Sequence, residues 1–155
     1  MAKWTRRLSA VAAAGIMLAA LLPAQTAFAV PLPSVEGKAP GRAVNLKLTE
    51  KIRHKLADAF WNQDYGKYHP DASRNKVDGP KGVYYGKIKG ATAAKDIYWA
   101  VGSIGIKGDP ISYQDGPHVW RKRYHGAWAY LGDTGGCLAK VPKTLLKIWH
   151  LPPCD

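Results

Sequence analysis

The pattern of hydrophobic and polar residues along the chain predicts two helices. Thr49 is a suitable N-cap, and the apolar positions that follow it predict a helix that ends near Trp61. Pro142 favours the start of a second, shorter helix near the C-terminus. The apolar positions that share the helical spacing are Leu48, Ile52, Leu56, Ala59 and Phe60 in the first helix, and Leu145, Leu146 and Trp149 in the second.

Between the two helices the chain changes to runs rich in Val, Ile, Tyr and Trp, which are typical of strands. A long polar stretch at 62–82 precedes these runs and is predicted to be a loop. The sequence therefore predicts an α+β fold, an antiparallel four-stranded β-meander flanked by an N-terminal and a short C-terminal helix. The four predicted strands are 82–89, 96–104, 118–124 and 127–132.

The last two predicted strands form a hairpin with a two-residue His-Gly turn at 125–126. That turn places Arg121 opposite Tyr130 and Arg123 opposite Trp128 on one face of the hairpin. We interpret these four residues as a candidate binding site for an anionic polymer, a cell-wall glycan or an acidic secreted protein. The alternative is a surface ladder in which the basic side chains cover the rings without any ligand.

The first 29 residues have the pattern of a secretory signal peptide. A basic start is followed by an apolar run at 8–22 and by small residues before a predicted cut after Ala29. Residues 30–43 contain three Pro and two Gly and predict a flexible leader. The remaining residues, 44–155, are expected to form a single domain that is secreted and monomeric.

The charge of the chain changes when the signal peptide is removed. The 155 residues include 23 Lys and Arg against 11 Asp and Glu, a net charge of +12. Three of the basic residues lie in the signal peptide, so the net charge falls from +12 to +9 after cleavage. A positive charge of this size predicts attraction to anionic surfaces and does not identify one.

Cys137 and Cys154 are the two cysteines, and in a secreted protein they predict one disulfide. The alternative is a catalytic thiol. The segment 134–138, with a His-Gly pair upstream, resembles the signature of the L,D-transpeptidases, although Gly135 and Ala139 stand where that family has His and Arg. This resemblance implies a nucleophilic role for Cys137.

Other enzyme signals are sparse. The histidines show no metal-ligand spacing, so each of them, including His118, is predicted to be a turn or surface residue, and we expect no metal or other cofactor. The alternative function is a small secreted hydrolase acting on envelope polymer or nucleic acid. Its acid and base would come from His118 or His125 with Arg121, or from loop carboxylates such as Asp109, Asp115 and Asp133.

The chain as a whole resembles small exported proteins of high-GC Gram-positive bacteria such as Streptomyces. The resemblance extends from the Ala-rich signal to the segment 132–137. It implies export, and it brings neither an activity nor a site residue. Composition and pattern thus favour a secreted basic binding protein over an enzyme.

Overall fold

A five-stranded antiparallel sheet forms the centre of the computed structural model, which describes residues 41–154. The strands follow one another in chain order, so each pairs with its neighbours in sequence. The predicted signal peptide, residues 30–40 of the predicted leader and Asp155 lie outside the described residues. The strands are β1 (Ala43–Asn45), β2 (Val77–Ile88), β3 (Ile97–Ile106), β4 (His118–Arg123) and β5 (Ala129–Tyr130).

Two of the helices flank this sheet as the periodicity predicts, and a third, short one lies in the segment that was predicted as a loop. They are α1 (Glu50–Phe60), the short α2 (Gly66–Tyr68) and α3 (Lys143–Trp149). The Thr49 side chain accepts a hydrogen bond from the backbone N–H of Ile52, which confirms the predicted N-cap. The α+β class is confirmed, and no helix in residues 41–154 is long and apolar enough to cross a membrane.

The prediction of four strands is wrong, because β1 adds a fifth at the edge of the sheet. Its pairing with β2 begins before the strand itself, where the Gly41 N–H donates to the Lys89 carbonyl at 2.7 Å. The predicted leader therefore does not extend to residue 43. A strand of three residues is too short to show an alternating pattern, which is why the sequence did not reveal it.

The predicted loop at 62–82 is also wrong over most of its length. A π-helical turn, Trp61–Tyr65, continues α1 into α2, and the ring centroids of Phe60 and Tyr65 lie 5.8 Å apart along it. At the other end, β2 already begins at Val77 and has irregular register on both sides of Lys81. Gly79, Pro80 and Gly82, which suggest a loop, are accommodated at these irregularities.

Each face of the sheet packs against one helix. Leu56 and Phe60 of α1 pack with Trp120 on one face, and Leu145 and Trp149 of α3 pack on the other. The second contact is close because residue 86 is glycine. A Cβ at Gly86 would lie 2.8 Å from the Val44 carbonyl and 3.0 Å from a Leu145 methyl group.

Cys137 and Cys154 form the predicted disulfide, with their Cα atoms 5.4 Å apart. The bond connects the loop after β5 to the tail that follows α3. Residues 41–154 contain no free cysteine. Cys137 is therefore not the nucleophilic thiol that the transpeptidase resemblance implies.

Candidate functional site

The hairpin of β4 and β5 pairs one residue away from the predicted register. Trp120 lies opposite Tyr130 and Arg121 lies opposite Ala129, whereas the two-residue turn predicts Arg121 opposite Tyr130. A one-residue change of register moves every side chain of one strand to the other face. The predicted face of two arginines and two aromatic rings therefore does not exist.

The four predicted binding residues are divided between the two sides of the sheet. Arg121 and Arg123 are exposed on the α3 side, where the Arg121 guanidinium lies 5.7 Å from the ring centroid of Trp99. Trp128 and Tyr130 pack on the α1 side, in the same cluster as Phe60. Arg121 thus does lie over an aromatic ring, but that ring belongs to β3.

Turn geometry and burial explain this register. A two-residue type I′ turn needs positive φ at both central residues, and neither His125 nor Gly126 has it. The chain instead connects the strands through a longer loop, in which Trp128 is 5% exposed. Gln63 secures this arrangement, because its Nε2 donates to the Trp128 carbonyl at 2.7 Å and its Oε1 accepts from the Tyr130 N–H at 2.9 Å.

Tyr130 forms part of a cleft of about 290 Å³, which we call the acidic cleft. The end of α1, the π-helical turn with α2, the loop between β3 and β4, and the hairpin all contribute to it. Its lining residues are Phe60, Asp64, Tyr65, Tyr68, His69, Asp109, Ile111, Ser112, Asp115, His118, Tyr130 and Asp133.

The charge of the acidic cleft is opposite to that of the chain. Four of the 11 acidic residues line it, and none of the lysines and arginines in the described part of the chain does. Asp109 and Asp133 are each held by a local backbone N–H, from Ile111 at 3.1 Å and from Gly135 at 3.0 Å. The cleft is therefore a negative site on a positive protein, which attracts cations.

Hydrogen bonds within and between loops hold the carboxylates in place around the acidic cleft. The Thr134 hydroxyl donates to the Pro117 carbonyl at 2.8 Å, which holds the loop of Asp133 beside the segment that contains Asp115. In the loop between β3 and β4, the Ser112 hydroxyl accepts from the Ile106 N–H at 2.8 Å and donates to the Asp109 carbonyl at 2.7 Å.

The same loop is anchored at a second point by Tyr113. Its hydroxyl donates to the Asp78 carboxylate at 2.8 Å. Burial and this bond raise the pKa of Tyr113 to about 12, so the phenol stays protonated at neutral pH. The tyrosine ring also lies close to β3, because a Cβ at Gly105 would be only 2.7 Å from it.

His118 lies in the wall of the acidic cleft and is 3% exposed, so the prediction that it is a turn or surface residue is wrong. Its Nδ1 shares a hydrogen bond of 2.7 Å with the Tyr130 hydroxyl, and its buried Nε2 has no partner among the described residues. Burial lowers the pKa of His118 below its ordinary value, although the carboxylates of Asp133, Asp115 and Asp64 oppose this. The imidazole is therefore neutral at pH 7 and leaves the negative charge of the cleft intact.

Aromatic and aliphatic side chains complete the rim of the acidic cleft. Tyr65 stacks on His69 with ring centroids 4.1 Å apart, and Phe60 meets Tyr130 edge to face at 5.4 Å. Tyr68 is 77% exposed and Ile111 is 71% exposed. Exposed apolar residues beside a concave site are a feature of binding surfaces.

No protein-family model, curated protein or solved structure matches this chain. The site must be interpreted from its own geometry. Sequence reasoning named Asp109, Asp115, Asp133 and His118 separately as hydrolase candidates, and the structure brings all four to one cleft. It missed Asp64, Tyr65, Tyr68 and His69, which stand in the segment predicted as a loop.

The carboxylates are distributed around the acidic cleft. In residues 41–154, no three His, Cys, Asp or Glu side chains are grouped so that they could hold one metal ion. Aromatic rings beside the carboxylates provide electron-rich faces as well as negative charge, and organic cations bind to such faces. The chemistry of the lining residues thus suits an ammonium or a guanidinium group.

Proposed function

We propose that this protein is a secreted binding protein whose ligand carries an organic cation, an ammonium or a guanidinium, and that this group occupies the acidic cleft. The observation that carries the proposal is the convergence of four carboxylates and several aromatic rings in a cleft without Lys or Arg side chains from the described residues. The predicted site at Arg121, Arg123, Trp128 and Tyr130 is replaced by this cleft, to which Tyr130 alone of the four contributes.

The size and charge of the protein narrow the class of ligand. A volume of about 290 Å³ is at the small end of ligand pockets, so it suits one side chain or one sugar ring. The net charge of +9 that is expected after signal-peptide cleavage repels a polycation, so the ligand presents an isolated positive group. An amino sugar and the side chain of a basic peptide both have this chemistry.

Calorimetric titration of the purified protein with small cations tests the proposal. Glucosamine represents the amino sugar, agmatine represents the basic side chain, and N-acetylglucosamine is the neutral control for glucosamine. We expect at least one of the two cations to bind and the neutral sugar to bind more weakly, because acetylation removes the positive charge. Equal binding of glucosamine and N-acetylglucosamine, with no binding of agmatine, would contradict the proposal.

Variants then locate the binding. Removing the charge of Asp115 or Asp133 by substitution with Asn should weaken cation binding about tenfold, the effect of losing one charge-assisted contact. Asp71→Asn is the matched control, because Asp71 is exposed and does not line the acidic cleft. Equal affinities of all three variants would show that the cation binds elsewhere.

A hydrolase remains the second candidate, because loop carboxylates and a buried histidine meet in the same cleft. Carboxylates facing one another across a cleft are the usual acid and base of glycoside hydrolysis. They also repel phosphodiesters, so an envelope glycan suits this cleft better than nucleic acid does. Release of new reducing ends from a glycan, abolished by Asp115→Asn, supports hydrolysis. Binding without any release supports a binding protein alone.

A further inference from the structure

A second pocket adjoins the acidic cleft and has the opposite charge. It has a volume of about 290 Å³ and lies between α1, the π-helical turn and the hairpin loop. We call it the lysine pocket. The polar and aromatic residues in its wall are Lys55, Asp58, Asn62, Gln63, Lys122 and Trp128.

Lys122 lines this pocket and is partly buried. Its Nζ lies 4.7 Å from the ring centroid of Tyr98 and 5.7 Å from that of Trp128, and it donates to the Tyr124 carbonyl at 3.2 Å. None of the ion pairs in residues 41–154 includes Lys122. An ammonium group has three donors, so two of them remain for a ligand.

Trp128 forms part of the wall of the same pocket. Its side chain is 5% exposed and its Nε1–H is buried, so the ring contributes an apolar surface beside the ammonium. The donors of the Lys122 ammonium that have no partner among the described residues therefore point to an anionic ligand group.

The charges around Lys122 also favour an anion. Burial lowers the pKa of Lys122, and the nearby ammonium of Lys55 lowers it further. Asp58 is the carboxylate in the pocket, and it does not neutralise the ammonium groups of Lys55 and Lys122, because it is paired with Arg74 at 2.6 Å. An anion bound between the two lysines would relieve their repulsion.

The lysine pocket and the acidic cleft are formed by consecutive residues. Asn62 and Gln63 line the former, and Asp64 and Tyr65 line the latter. The two sites therefore adjoin along the π-helical turn, Trp61–Tyr65. Gln63 is bonded to the hairpin between them, which fixes their relative position.

We propose that the lysine pocket binds the carboxylate of a zwitterionic ligand whose cationic group occupies the acidic cleft. The inference rests on the proposed function, because it places the cation there. It narrows the ligand class to small molecules or chain ends that carry both a carboxylate and an ammonium or guanidinium group.

Titration of the purified protein with ω-amino acids of increasing chain length, against alkylamines of matched length, tests the inference. At one chain length the amino acid should bind about tenfold more tightly than its amine, because a charged hydrogen bond has been added. Lys55→Met and Lys122→Met should each reduce this ratio. Lys147→Met, an exposed lysine on α3, should preserve it.

The outcomes separate the two proposals. If the amines bind and the carboxylate adds nothing at any length, the zwitterion inference is wrong and the cation site stands. If neither series binds, both proposals are wrong. Because Lys122 packs on two rings, its variant is checked by urea unfolding, and the exposed Lys55 provides the independent test.

Discussion

Gln63 links the helical segment to the hairpin, and its removal gives a sharp test of the structure. The substitution Gln63→Met keeps the length of the side chain and removes the amide. It eliminates the bond to the Trp128 carbonyl at 2.7 Å and the bond from the Tyr130 N–H at 2.9 Å. Both bonds hold β5 at the edge of the sheet, so the loss should act on the hairpin first.

The size of the effect follows from the number and exposure of these bonds. Each hydrogen bond contributes about 0.5–1.5 kcal/mol net. Gln63 is exposed, so water can replace part of what is lost. We therefore expect the free energy of unfolding to fall by about 1–2 kcal/mol.

Urea unfolding measures the global effect, and hydrogen exchange at the Tyr130 amide measures the local one. A loss of this size should accelerate exchange at that amide about tenfold. Gln114→Met is the matched control, because Gln114 is exposed and its side chain makes no hydrogen bond within residues 41–154. If the two variants unfold at the same urea concentration and Tyr130 exchanges at the wild-type rate, the described link is refuted.

Three further predictions concern stability. Asp96 is 4% exposed and pairs with Lys87 at 2.6 Å. In urea unfolding, Asp96→Asn should lower the free energy of unfolding by about 2–4 kcal/mol, and a loss below about 0.5 kcal/mol would contradict the pairing. Replacing Cys137 and Cys154 together by Ala should cost about 3 kcal/mol in the same assay, and equal stability would show that the bond constrains little. Because burial lowers the pKa of His118 below 6.5, its neutral form stabilises the fold above pH 6.5 and this contribution is lost as the pH falls. His118→Asn should remove this loss of stability on acidification, and an unchanged dependence of the free energy of unfolding on pH would contradict the assignment to His118.

Asp96 adds a separate contribution at lower pH. Burial disfavours its charge, but the hydrogen bonds from Lys87 and from the Gly90 N–H outweigh burial and hold its pKa below 3.8. A carboxylate of this kind stabilises the fold above its unfolded-state pKa, and the stabilisation is lost as the pH falls through the lower value. The His118 effect therefore appears first on acidification, and the Asp96 effect only in strong acid.

Features that depend on local sequence were predictable. The periodicity around Leu56 and the capping preference of Thr49 place α1 correctly, because both act within a few residues. The disulfide followed from the count of two cysteines in a chain with a signal-like N-terminus. The β1 strand is the exception among local elements, since three residues carry too little pattern.

Features that depend on distant contacts were not predictable. The hairpin register is set by the packing of Trp128 and Tyr130 on α1 and by the amide of Gln63, which stands 67 residues before Tyr130. The His-Gly turn motif alone therefore predicted the wrong register, and with it the wrong set of side chains on each face of the hairpin. The acidic cleft likewise depends on bonds between loops, such as that from Thr134 to Pro117. The one sequence signal for the acidic cleft was the number of aspartates in the loops of a basic chain.

The most direct test of the central claim is to map where a small cation binds. Backbone amide shifts in ¹H–¹⁵N spectra of the purified protein, recorded during a titration with agmatine or glucosamine, give this map. The acidic cleft predicts that the largest changes occur at residues 64–69, 109–118 and 130–133. Changes centred on Arg121 and Arg123, or no changes with either cation, would contradict it.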